Sequence, residues 1–175
     1  MFDHLARFSR RRWFGIAPVG LLGGLGGCIS VRRQPAGPRP DPRVAFQGLV
    51  EAHNRERTRR GRKPLELDSR LAAAAQGHAN EMARRRWMSH RGADGSSPAT
   101  RIERVGYAYS RVAENVAFGQ YTLDELMGDW MRSPGHRRNI LGSFYAIGTG
   151  YATDANGKPY WCVTFGTPRG ESGPA

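Results

Sequence analysis

The segment 130–141 constrains the fold of this chain more than any other stretch, because it combines a helix end, a rigid break and a new helix. Pro134 cannot continue the preceding helix, since it lacks a backbone N–H and its ring clashes with the previous turn. Gly135 allows the backbone a positive φ at this break, and a short helix is predicted to open at His136. The sequence therefore predicts a histidine held on a rigid corner, with Trp130 behind it as a buried anchor.

Apolar periodicity and turn residues predict the remaining elements of a mixed domain. The predicted helices cover about 42–60, 68–87 and 99–105 and a segment that begins after Thr122. One predicted strand is centred on 112–118 within the segment 107–119, and two more cover 144–153 and 160–167. Residues 154–157 are predicted to join the last two strands as a hairpin loop. The expected fold class is α+β, with helices that flank a small, mainly antiparallel sheet.

Residue chemistry predicts several helix ends and core positions. Thr122, with Glu125 three residues later, matches a capping box at a helix start. His78 lies on the apolar stripe of the second helix and is predicted to be a satisfied core histidine. Cys162 lies in an apolar strand and is predicted to pack as a small hydrophobic residue. Since Cys28 is the only other cysteine, no disulfide is expected.

The first 27 residues have the pattern of an export signal. A run of arginines is followed by a short Gly-rich apolar stretch, which is too short to span a bilayer as a mature helix. The stretch ends in Leu-Gly-Gly-Cys, a sequence that resembles a bacterial lipobox, so Cys28 is predicted to carry the lipid. An ordinary cleaved signal is the alternative, and the Ser-Arg-Arg-Arg-Trp-Phe segment leaves twin-arginine export open. The predicted location is the cell envelope, on its periplasmic or extracellular side.

Composition divides the rest of the chain. Residues 28–42 are rich in proline and are predicted to form a semi-rigid tether. Residues 43–168 are predicted to form one folded domain, which is long enough to bury a sizeable core, and residues 169–175 to form a flexible tail. A tether after a lipidated cysteine would hold the domain off the membrane.

The chain is strongly basic, with a formal net charge of +12 that comes mainly from arginine. Such a surface attracts anionic lipid headgroups, acidic glycans or nucleic acid. The export signal disfavours nucleic acid as a partner. The alternative is an Arg-rich surface without a specific partner, and Arg137 and Arg138 are accordingly predicted to form a solvated positive edge.

Three residues far apart in the sequence are candidates for chemistry: His90, Glu114 and His136. Glu114 lies within an apolar strand, where an unpaired charge is costly, so it requires a partner. Two imidazoles beside one carboxylate could bind a divalent metal such as zinc, or the carboxylate could orient a histidine as an acid or base. The structural alternative is a buried hydrogen-bonded link between loops.

Several segments resemble the CAP superfamily (SCP, Tpx-1 and PR-1-like proteins) in its bacterial form. They are His-Asn-Arg-Glu-Arg at 53–57, Ala-Glu-Asn at 113–115 and Ser-Pro-Gly-His at 133–136 after a helix tryptophan. The similarity runs from about residue 44 to residue 166. It implies a three-layer α-β-α sandwich, in agreement with the predicted elements, and Asn54 is expected to fix the loop after the first helix.

The resemblance also implies that the three candidates converge. The family has a cleft with two histidines and two glutamates, which His90, His136 and Glu114 match in part. The second glutamate position holds Ser133 here, so a mechanism that needs two carboxylates is not expected. Asn115 and Ser133 are the predicted neighbours of the cleft, and Asn115 and Asn139 are predicted to tie down loops.

These observations favour a membrane-anchored binding module over an enzyme. Its cleft would engage a lipid, a sterol or another envelope component, with an aromatic rim of Trp87, Tyr107, Tyr109, Phe118 and Tyr121. The alternative for these aromatics, which are only loosely grouped in the sequence, is a place in the core. One alternative is a metal-dependent, protease-like hydrolase in which Glu114 acts as the base and the histidines bind the metal. A second alternative is a structural envelope protein with a vestigial cleft. The ligand and the oligomeric state remain open.

Overall fold

The computed structural model of the protein describes the backbone of residues 42–171 and the side chains of residues 48–171. The predicted signal, Cys28 and almost all of the predicted tether lie outside these residues, as does the end of the predicted tail. The helices are α1 (Pro42–Thr58), α2 (Ser69–Arg85), α3 (Pro98–Arg104), α4 (Leu123–Arg132) and α5 (Pro134–Ile140). The strands are β1 (Glu66–Leu67), β2 (Tyr109–Phe118), β3 (Ala146–Thr153) and β4 (Pro159–Pro168). None of the described helices is long and apolar enough to cross a membrane.

The strands form one sheet in the order β1-β3-β4-β2. β4 pairs antiparallel with both β3 and β2, whereas β1 pairs parallel with β3. The prediction of a small, mainly antiparallel sheet is therefore confirmed. β1 was not predicted, because a strand of two exposed residues is too short to show a period-two pattern.

Helices cover both faces of the sheet. α2 packs so closely on β3 that a Cβ at Gly148 or Gly150 would lie 2.1 or 2.4 Å from the α2 backbone. The alanines of α2 make this approach feasible, since they add little volume between the two layers. On the other face, α1, α4 and β3–β4 share a core that includes Leu49, Trp130 and Phe165. The result is the predicted three-layer α-β-α sandwich.

Capping residues begin the helices where the sequence predicts. Thr122 and Glu125 form the capping box at the start of α4, and the side chains of Asp68 and Ser97 cap α2 and α3. After α1, the Asn54 side chain exchanges hydrogen bonds with the backbone of Leu65 at 2.8 and 3.0 Å. Asn54 therefore fixes the loop after the first helix, as expected.

The corner between α4 and α5 differs from the prediction in one respect. α5 begins at Pro134 rather than at His136, and Gly135 lies inside the helix without a positive φ. Proline suits the first helical position, because its missing N–H has no intrahelical partner there and its φ is already helical. The break is made instead by Ser133, which is extended at φ −85° and ψ 119°.

Candidate functional site

The site is built around Glu114 on β2, an edge strand of the sheet. Its side chain is 1% exposed and has three polar neighbours. Nδ1 of His90 donates to Oε1 at 2.8 Å, and Nη2 of Arg101 donates to Oε2 at 2.6 Å. The thiol of Cys162 lies 3.5 Å from the same Oε2. Glu114 therefore has the partners that its burial requires.

These partners decide the charge of Glu114. Burial raises the pKa of the carboxyl group, but the hydrogen bond from His90 and the charge of Arg101 outweigh it, so the pKa lies below its ordinary value. Glu114 is ionised at neutral pH. A carboxylate that is a weak base and is already held by a guanidinium is poorly suited to general-base catalysis at that pH.

His90 is held in place from several sides. Its side chain is 56% exposed, yet its Nδ1 is bonded to Glu114 and its carbonyl accepts from Arg101 at 3.0 Å. One residue earlier, the carbonyl of Ser89 accepts from Nε2 of His78 at 2.7 Å. His78 is buried, as predicted, and it supports the loop that presents His90. Nδ1 carries the proton donated to Glu114, so Nε2 of His90 is the nitrogen that offers a lone pair in the neutral form of the ring.

His136 lies on α5, half-buried against the ring of Trp130 with 6.1 Å between ring centroids. Burial and, after it, the charge of His90 lower the pKa of His136. The two imidazoles therefore lie within electrostatic reach of each other, and His136 is neutral at neutral pH. The structure thus brings His90, Glu114 and His136 into one region.

Two asparagines join α5 to β2. Nδ2 of Asn115 donates to the carbonyl of His136 at 3.2 Å. Nδ2 of Asn139 donates to Oδ1 of Asn115 at 2.8 Å and to the carbonyl of Glu114 at 3.2 Å. These bonds fix the helix that carries His136 to the strand that carries Glu114. Both asparagines therefore act on the scaffold of the site, as predicted.

A cleft of about 240 Å³ opens beside His136. It is lined by Met88, Val116, Ala117, Phe118, Gln120, Asp129, Trp130, Ser133 and His136. Ser133 is thus next to His136, as expected, and most of the surrounding side chains are apolar. His90 and Glu114 do not line this cleft, so His136 is the one candidate of the three that faces it.

The predicted aromatic rim is largely wrong. Phe118 lines the cleft, but Tyr107 is 1% exposed and packs with Leu71 and Ile102 in another part of the core. Trp87 is 65% exposed and does not line the cleft. These aromatics are spread along the sequence without a common period, so their number alone could not place them on one surface.

Arg101 is the site residue that sequence analysis missed. It lies on the short helix α3, and its guanidinium bonds Glu114 and the carbonyls of His90 and Ser96. In the sequence, only the need of Glu114 for a cationic partner pointed to Arg101. The sequence-based prediction gave that role to the histidines instead. With 27 Lys and Arg residues in the chain, composition could not single out one arginine.

The residues fit a metal ion only in part. Both oxygens of Glu114 are engaged, and Arg101 places a positive charge where a cation would have to bind. Between residues 48 and 171, no group of three or more His, Cys, Asp or Glu side chains is arranged to hold a metal. In the neutral form of each ring, Nε2 of His90 and the imidazole of His136 are suitable nitrogen ligands, with Glu114 behind His90 as an orienting carboxylate. Glu114 itself does not fit as a ligand.

Comparison with known proteins places this site in a family context. The model of the CAP family, described as the cysteine-rich secretory protein family, matches residues 50–165. The protein YkwD of Bacillus subtilis is 38% identical over 104 residues, which are 59% of this chain and 40% of YkwD. This chain therefore spans less than half of that relative.

Solved structures share the fold. An outer surface protein from Borrelia burgdorferi superposes with a TM-score of 0.69 at 22% identity, over 76% of this chain and 99% of that one. An extracellular protein with an SCP domain from Bacillus anthracis gives a TM-score of 0.64 at 25% identity. That match covers 72% of this chain and 41% of the other.

Proposed function

This chain belongs to the CAP family of cysteine-rich secretory proteins, and on that premise we propose that it is an exported binding module rather than an enzyme. The ionisation of Glu114 and its two hydrogen-bonded partners are the main support for this proposal. The buried carboxylate is ionised and held by Arg101 and His90, so it supports the position of a histidine and is not free as a base. The cleft beside His136 is lined mainly by apolar side chains, which favours binding of an apolar ligand.

The ligand we propose for the cleft is the apolar part of a lipid or of another envelope molecule. Met88, Phe118 and Trp130 supply the apolar contacts, while His136 and Ser133 can bond a polar end. Export, and anchoring through a lipid on Cys28, would place the cleft near such molecules. Cys28 lies outside the described residues, and the anchor is part of the proposal.

Binding of a dansyl-labelled fatty acid to the full chain tests this function. Ser133→Phe should weaken binding roughly tenfold, because the new ring would fill the cleft and Ser133 makes no side-chain capping bond that would be lost. Ser69→Phe, at an exposed first position of α2, is the matched control. Equal binding by the two variants, or no binding by any of the proteins, would overturn the proposal of an apolar ligand.

Metal binding is a second candidate function, supported by the neutral His136 and by the orientation of His90 through Glu114. Titration of the full chain with zinc by calorimetry should give one site per chain. The double variant His90→Ala/His136→Ala should lose it, while Glu114→Gln should weaken it by about 10- to 100-fold as an orienting residue does. Binding that is absent, or equal in the double variant, would sink the metal hypothesis.

The hydrolase and the structural hypotheses have less support. Hydrolysis with Glu114 as the base conflicts with its pairing to Arg101. A structural envelope role with a vestigial cleft is the outcome that remains if neither the fatty acid nor zinc binds.

A further inference from the structure

We propose that a second site, separate from the cleft, binds a phosphate-bearing ligand. It is a cavity of about 630 Å³ that we name the arginine groove. Five arginines line it: Arg62 after α1, Arg111 on β2, Arg132 at the end of α4, and Arg137 and Arg138 on α5. Segments far apart in the sequence thus bring five guanidinium groups to one concave surface.

The charge of the arginine groove is largely uncompensated. Arg132 pairs with Asp129, but the other four arginines form no ion pair with any described residue, and no Asp or Glu is among the residues that line the groove. Elsewhere on the domain, arginines do find carboxylates. Those pairs involve Arg59, Arg60, Arg70, Arg85, Arg101 and Arg104. Other described arginines, such as Arg55, Arg84 and Arg91, also lack an ion pair with any described residue. What distinguishes the groove is that four such arginines lie on one concave surface that carries no carboxylate.

A buried arginine beside the groove adds to this charge and makes the wall rigid. Nη1 of Arg57 donates to the carbonyl of Ile140 at 2.8 Å and to the carbonyl of Gly142, a lining residue, at 2.7 Å. Burial and then the charge of Arg62 lower the pKa of Arg57 to about 10, so it is still protonated at neutral pH. A bound anion would relieve this crowding of like charges.

The shape and chemistry of the groove indicate the ligand class. Guanidinium groups match the oxygens of a phosphate bidentately, which an ammonium group cannot do. Met131, Pro134 and Leu141 add apolar surface between the arginines, so the carbon part of a phosphate ester has contacts as well. The volume lies within the usual range for ligand sites of about 300–1,000 Å³. A phospholipid headgroup and a soluble phosphate polymer share this chemistry.

The arginine groove and the cleft are independent sites on the same corner. Trp130, Ser133 and His136 line the cleft, whereas Met131, Arg132, Pro134, Arg137 and Arg138 line the groove, and no residue lines both. Consecutive residues of α4 and α5 thus face two different cavities. The groove proposal therefore does not depend on the function proposed for the cleft.

The test compares two double variants of the full chain that lose the same charge. Arg62→Ala/Arg137→Ala removes two groove arginines, and Arg55→Ala/Arg84→Ala removes two exposed arginines of α1 and α2 that do not line the groove. All proteins carry Cys28→Ser to prevent lipid attachment at the predicted anchor. Arg111→Ala/Arg138→Ala is a second groove variant in case the first does not fold.

Each protein is titrated with inorganic tripolyphosphate by calorimetry and mixed with vesicles of phosphatidylglycerol and phosphatidylcholine in a flotation assay. The parent should bind in at least one of the two assays, with an affinity that falls as salt rises. The groove variant should bind at least about tenfold more weakly than the parent, as expected for lost charge-assisted bonds, and the control should stay within about threefold of the parent.

Binding only to tripolyphosphate would identify a soluble phosphate ligand, and binding only to vesicles would identify a lipid headgroup. No binding in either assay, or an equal loss in groove and control variants, would overturn the proposal.

Discussion

At the scale of single residues, Glu114 shows what a sequence can and cannot reveal about a site. A carboxylate within an apolar strand indicated that a partner had to exist, and His90 is one of them. Arg101 could not be predicted, because its contact with Glu114 depends on where α3 packs against the edge of the sheet. The need for a counter-charge was visible in the sequence, whereas its source depended on the tertiary structure.

The ion pair between Arg101 and Glu114 gives the first prediction. Arg101→Ala should lower the free energy of unfolding by about 2–3 kcal/mol at pH 7, because it leaves a buried carboxylate with fewer partners. Urea denaturation measures this change. Arg104→Ala on the same helix removes an exposed pair with Asp94 and should have no measurable effect. Equal stability of the two variants would contradict the assigned role of Arg101.

His53 gives a prediction of pH dependence. Burial lowers the pKa of this core histidine from 6.5 to about 4, so the unfolded chain binds its proton more readily than the folded chain does. Stability should therefore be full above about pH 6.5 and fall as the pH drops towards 4, by about 3 kcal/mol from His53 alone. His136, whose pKa is also lowered, contributes in the same direction.

Urea denaturation between pH 4 and 7 measures this dependence. His53→Leu should flatten the curve by removing the buried titrating group, and His136→Leu should flatten it less because that ring is only half-buried. A variant His53→Leu that keeps the full slope of the parent would contradict the assignment.

At the scale of elements, local signals were sufficient where one residue decides the conformation. The capping box of α4 and the caps of α2 and α3 follow from side chains close in sequence. The start of α5 was misplaced because proline and glycine fit either a break or a first helical turn. Packing of the helix on β2, through Asn115 and Asn139, selects between these options, and that packing is not local.

The start of α5 can be tested by substituting glycines. Gly135 is helical, and a Cβ there would meet nothing within 4 Å, so Gly135→Ala should stabilise the fold by about 0.5–1 kcal/mol. Gly106 is equally open but has a φ of +77°, so Gly106→Ala should destabilise it. Thermal unfolding measures both variants. Destabilisation by Gly135→Ala would contradict a helical Gly135 and support the helix break that the sequence predicted at this residue.

At the scale of the whole molecule, the layer arrangement was predictable and the surface was not. Periodicity and the CAP resemblance predicted the three-layer sandwich, because the apolar faces of helices and strands must cover one another. The arginine groove depends on the convergence of Arg62, Arg111 and Arg137, which are far apart in the chain. The sequence predicted only a solvated positive edge at Arg137 and Arg138.

The predicted anchor is also a property of the whole chain. In a bacterial host labelled with radioactive palmitate, the full chain should carry the label, and Cys28→Ser should lose it and leave the membrane fraction. Cys162→Ala should keep the label, since Cys162 is fully buried within the domain. A label that persists in Cys28→Ser would contradict lipidation at that residue.

The position of β4 has a consequence for the time at which this domain can form. β4 is the last of the described strands, yet it lies inside the sheet and pairs with both β3 and β2. Until the ribosome has released residues 159–168, β2 lacks the one described strand with which it pairs, and the core beneath it cannot close. Pairings between distant segments also form slowly. The sheet of the described domain therefore forms only once residues 159–168 are available, after all of its other strands have been made.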